Sequence, residues 1–150
     1  MAAAFRLIAD SLAAGLQLAT LPIAASVTRA NWIEIDASDM AAPMVVVTPG
    51  NVEGSRASRQ ITQLDYSINV FVGMHCNNDS DVDAVMDLAD HVYLLVRAHS
   101  WGEVVAFPEG VTSPLSATIE INPDDGLSER NIWRAMIVAT YRVFEADALP

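Results

Sequence analysis

The stretch SRASRQITQLDYSINVFVGM, residues 55–74, starts polar and finishes as the longest strand signal in the chain. In its second half Tyr66, Ile68, Val70 and Val72 fall on one side of an extended backbone. Ser67, Asn69, Phe71 and Gly73 fall on the other, so the pattern predicts a strand with one firmly buried face. Just upstream, PMVVVTPG (43–50) is a β-branched run closed by a Pro-Gly pair, and reads as a short strand ending in a turn. NVEGSRAS (51–58) then reads as an exposed, Gly/Ser-rich loop, which places Glu53, Arg56 and Arg59 directly before the long strand.

Downstream the period changes. In NNDSDVDAVMDLADHVYLLVRAHS (77–100), Val82, Val85, Met86, Ala89, Val92 and Val96 recur at three and four, which predicts a helix over Asp81 to His99. Asp79 or Ser80 suits its N-cap, and the early acids and the late Arg97 suit the two ends of its dipole. LSATIEI (115–121) alternates again. After the turn-rich NPDDGLSER, the run NIWRAMIVATYRVF (131–144) resumes as a long strand, so the two read as an antiparallel hairpin. Trp133, Ala135, Ile137, Ala139, Tyr141 and Val143 share one face of that last strand; its other face is only partly polar, as expected of a central strand.

Upstream, Phe5, Ile8, Leu12 and Leu16 recur at helical spacing, and residues 3–19 read as an amphipathic helix that ends before Pro22. Residues 27–43 show no single period, and Trp32, Ile33 and Ile35 are left as a short strand or an extended connector. The order helix, strand, long loop, strand, helix, strand, strand predicts a single α+β domain over residues 1–150. Its two layers would be a mostly antiparallel four-stranded sheet and the long helix packed on one face, with the N-terminal helix in addition.

Composition narrows the function classes. The chain has 150 residues, 52% of them hydrophobic and 18% charged, enough for one core with apolar surface to spare for contacts between subunits. Its net charge is −11 and all eight basic residues are Arg, which speaks against a surface that grips nucleic acid. An acidic wall is compatible with nucleic acid sliding past without adhering. The lone Cys76 excludes an internal disulfide. Arg6, Asp10 and Gln17 interrupt the Ala/Leu-rich N-terminus, which argues against a secretory signal, and no apolar run is long enough to predict a membrane span.

No catalytic set is legible. Asp79, Asp81 and Asp83 resemble the start of a calcium loop, but Ala84 stands where the turning Gly belongs and Asp90 where a bidentate Glu belongs, so capping and solvation are the better reading. His75 and Cys76 are adjacent in a strand end and point to opposite faces; His91 and His99 share a helix face without a third ligand. With neither a nucleophile elbow nor a phosphate-binding glycine loop, no metal or cofactor is expected. The arginines remain. Arg56 and Arg59, with Glu53, form a candidate docking loop, and Arg134 and Arg142 share one face of the last strand as a second candidate interface, since the guanidinium fork pairs carboxylates and stacks on aromatics.

One resemblance is carried by a succession of segments over residues 43–144. Ser58 and Arg59 precede the strand that holds Asp65, Tyr66, Ile68 and Val70; the acid-and-valine helix follows, and Thr140, Tyr141, Arg142 and Val143 close the run. This order resembles a family of small phage proteins of tail completion, the tail terminators. The resemblance implies a structural, non-enzymatic virion protein that forms a ring of about six copies on the head-proximal end of the tail tube. Such a ring stops tube growth and joins the tail to the head connector or stopper, with DNA passing through its lumen. Two alternatives stand beside it: a head-completion or stopper protein of the same junction, and a small ligand-binding domain built around Asp65, His75 or His91.

Overall fold

A computed structural model describes residues 4–31, 41–59, 61–98, 114–121 and 131–146. The extended connector expected around Trp32, Ile33 and Ile35, the residue His99 and the loop 122–130 lie outside the described residues. The elements are α1 (Ala4–Leu18), β1 (Ser26–Arg29), β2 (Met44–Arg56), β3 (Ile61–His75), α2 (Asp79–Ala98), β4 (Ser116–Ile121) and β5 (Ile132–Ala146). They make an α+β fold with a single sheet in the order β1-β2-β3-β5-β4.

The expected four-stranded, mostly antiparallel sheet is corrected in its strand count. A fifth strand, β1, pairs parallel to β2, with Val27 opposite Val45. Four residues with no apolar period give no strand signal alone; SVTR is held by its ladder with β2 and by Gln17, whose Nε2 donates to the Val27 carbonyl at 3.1 Å. The remaining pairings are antiparallel, and β5 lies between β3 and β4. β3, α2 and β4 thus form a crossover unit split by an inserted strand.

The second correction concerns residues 49–58. The expected turn at Pro49-Gly50 is a bulge, where Gly50 and Asn51 stand against Ser67 between the pairs Pro49–Ile68 and Val52–Tyr66. A Cβ at Gly50 would stand 2.7 Å from the Ser67 carbonyl oxygen, so glycine lets the two backbones approach. Beyond the bulge β2 continues to Arg56, and the expected loop is a strand. Glu53 pairs with Asp65, Gly54 with Leu64 and Arg56 with Thr62. The turn itself is tight, with the Ala57 and Ser58 amides both donating to the Ile61 carbonyl. Local polarity reads as loop here because neither face is covered, while the backbone ladder has no need of apolar side chains.

Both helices pack on one sheet face. Ile8, Leu12 and Leu16 of α1 and Val85, Leu88, Val92 and Val96 of α2 are buried against Val45, Val47, Ile68, Val70, Ile137 and Tyr141. Leu88 faces this core, whereas Met86 is 43% exposed, because α2 turns its stripe slightly from the one read in the sequence. The α2 cap also falls earlier than expected: Asn78 Oδ1 accepts from the Asp81 amide and Asp81 Oδ2 from the Asn77 amide, each at 2.9 Å. Tyr93 Oη donates to the Ala117 carbonyl and His91 Nε2 to the Thr20 carbonyl, tying α2 to β4 and to the segment after α1.

Candidate functional site

The bulge sets the geometry of the most distinctive surface. Past it, β2 (52–56), β3 (61–65) and β5 (142–146) run on together as a three-stranded arm. Phe5 of α1 stacks obliquely on Tyr66 with ring centroids 5.4 Å apart, and that contact marks where the helix layer ends. On the arm, every residue from 51 to 59 is exposed, even Val52 and Arg56 on the side that faces the helices lower down. Ile61 is 40% and Phe144 60% exposed on the opposite side. At the base of the arm Leu64 and Val143 pack against the core, beyond them the strands are held by their ladder, and Arg56 Nη1 donates to the Arg59 carbonyl at 2.9 Å across the turn.

At the base of the arm, on the face away from the helices, Arg142 and Asp65 stand opposite one another and form a two-pronged ion pair. Nε donates to Oδ1 at 2.9 Å and Nη2 to Oδ2 at 3.1 Å. Gln63, with its amide oxygen turned toward the guanidinium, accepts at 2.9 and 3.0 Å. The hydrogen bonds from Arg142 hold the Asp65 carboxyl below its ordinary range, and those to Asp65 raise Arg142. The pair ties β3 to β5 on this face, while on the helix side the neighbouring pair Leu64–Val143 packs against the core.

The sequence-predicted residues therefore divide into three groups. Glu53, Arg56 and Arg59 gather on the arm, the first two in strand β2 and the third in the turn. Arg142 lies on the same arm, tied to Asp65. Arg134 shares the face of Arg142 but sits at the other end of β5, opposite Gly73. It is half-buried, and desolvation lowers its pKa against the opposing influence of Glu120. At that end Phe71, Val46 and Ile132 form a second small apolar cluster with Met44 and Met136.

A groove between α2 and the edge strand β4 was not legible in the sequence. Met86, Ile119, Ile121 and Trp133 line it with the exposed Asp87 and Asp90, and its volume is about 310 Å³. The sequence pattern assigns Met86 to the buried stripe of the helix, so nothing in it announces the groove.

The titratable residues that sequence reasoning weighed for chemistry do not converge. The Cys76 thiol is buried, donates to the Met74 carbonyl, and is pushed up by desolvation. Asp81 is engaged in the helix cap and His91 in its bond to Thr20. Among the described residues no three His, Cys, Asp or Glu side chains are grouped to hold a metal ion, and no helix is long and apolar enough to cross a membrane. No family model matches the chain, and neither does any curated protein.

Proposed function

We propose that this protein is a ring-forming structural component of a phage head–tail junction, acting as a tail terminator. The observation that carries the reading is the arm: a projecting strand ladder on a two-layer domain, with Arg56 exposed on one face, Ile61 and Phe144 exposed on the other, and Arg59 in its turn. A projecting strand arm with mixed apolar and cationic residues is suited to docking on another protein rather than to holding a small molecule. The succession of segments that resembles tail terminators runs through this arm, α2 and β5. In this reading the ring sits on the head-proximal end of the tail tube, presents its other side to the connector or stopper, and lets DNA through an acidic lumen.

The test is native mass spectrometry over a concentration range, alone and with tail tube protein, followed by images of the same samples. A closed ring of about six copies at one tube end is expected. The double variant Arg56→Glu, Arg59→Glu is expected to keep the wild-type circular dichroism and melting temperature while ring and tube assembly fail; normal assembly by that variant sinks the docking role of the arm. Binding to filled heads instead of tubes favours the stopper reading. The small ligand-binding reading draws on the α2/β4 groove, whose size lies at the low end for ligand pockets. Saturable stabilisation by a small molecule with a monomer at every concentration would favour it.

A further inference from the structure

The arm and the groove are complementary, and one molecule cannot join them. On β5, Trp133 of the groove and Ala146 of the arm are thirteen residues apart in one continuous strand, paired with Met74 and Ile61 of β3. At the rise of an extended strand that is about 40 Å. The arm of a protomer therefore cannot fold back onto its own groove.

The chemistry of the two surfaces matches. The arm presents Arg56 on one face and Ile61 and Phe144 on the other, with Arg59 in its turn, so an inserted arm sets a cationic side and an apolar side against two walls; the groove presents Ile121 on β4 and Met86, Asp87 and Asp90 on α2, all of them exposed. In a chain of net charge −11, two copies repel unless the contact sets a cationic surface against an anionic one. Arg29 and Arg142 already face Asp10 and Asp65 within their own chain. At the tip of the arm Arg56 and Arg59 are both exposed, with Arg56 Nη1 bonded to the Arg59 carbonyl, and the groove lies along a helix whose Asp79, Asp83, Asp87 and Asp90 are all exposed.

We infer that the arm of one copy docks in the α2/β4 groove of the next, with Arg56 and Arg59 against Asp87 and Asp90 and with Ile61 and Phe144 against Ile121 and Met86. The contact joins two different patches, so it is heterologous: each copy gives an arm and receives one, and the series closes as a ring or runs on as a filament. This inference rests on the ring reading proposed above and names the surface that receives the arm.

The test is a charge-swap cycle followed by native mass spectrometry and sedimentation. Asp87→Arg with Asp90→Arg is expected to raise the concentration needed for assembly at least about a hundredfold, as is Arg56→Glu with Arg59→Glu. The fourfold variant, which restores opposite charges, is expected to recover assembly. Independently of how these variants fold, an Arg59→Cys chain mixed with an Asp87→Cys chain is expected to form a disulfide-linked pair under mild oxidation, which neither chain forms alone. If wild type makes rings and the Asp87→Arg, Asp90→Arg variant makes them equally well, or the mixed cysteines do not link, the groove is not the receptor although the ring reading stands. A wild-type chain that stays monomeric with and without tube protein overturns both.

Discussion

Asp65 and Arg142 show how a single pair is set by register. They are 77 residues apart, and only the β3–β5 ladder puts them opposite. Because the folded Asp65 carboxyl lies below its unfolded value, the stability that it contributes is complete above about pH 4 and is lost as pH falls through the folded value. Melting temperatures of wild type and Asp65→Asn should accordingly differ most near neutral pH and converge in acid. A difference that stays constant down to pH 2 would mean that the carboxylate charge plays no part. Asn131 is a second residue that its surroundings specify: it holds φ 57 and its carbonyl accepts from the Cys76 amide at 2.8 Å. Asparagine tolerates that left-handed conformation better than branched residues do.

Among the elements, α2 and the β2 extension were read with opposite success for related reasons. The helix was visible because its buried stripe repeats every three to four residues, and the structure moves its start only to Asp79. In its cap Asn78 Oδ1 accepts from the Asp81 amide while the Asp81 carboxylate accepts from the Asn77 amide, so Asn78→Ala should cost about 1 kcal/mol. The check is a lower urea midpoint with an unchanged denaturant slope; an unchanged midpoint would assign the cap to another residue. The second half of β2 was read as a loop because Glu53, Gly54, Ser55 and Arg56 show no apolar alternation. Its ladder partners lie on β3, beyond a bulge that shifts the side-chain alternation at Gly50, so nothing in the local pattern announces it. The candidate arginines were thus found as residues, but the arm that presents them was not.

At the scale of the whole molecule, both helices share one core on one sheet face, and the other face carries hydroxyl, amide and charged side chains, a small apolar cluster, and the exposed Ile61 and Phe144 of the arm. The N-terminal helix belongs to the main core, since Leu12 is fully buried there. Leu12→Ala should therefore cost about 2–5 kcal/mol in a single cooperative transition, whereas Leu18→Ala, at a position 65% exposed, should stay within about 0.5 kcal/mol. Denaturant unfolding decides this. Two separate transitions in wild type would show α1 to be an independent unit.

By itself the sequence determined the features that repeat along the chain: two amphipathic helices, the buried faces of β3 and β5, the alternation of β4, the acidity, and the arginines as the whole cationic complement. These follow from periodicity and composition, which act between neighbours in the chain. Only the tertiary structure decided what depends on distant partners: the parallel β1, the run of β2 through its bulge into the arm, the Asp65–Arg142 pair, and the groove between Met86 and Ile121. A backbone ladder and a cross-strand charge pair are satisfied by whichever residues the register brings together, and register is a property of the folded sheet rather than of any one segment.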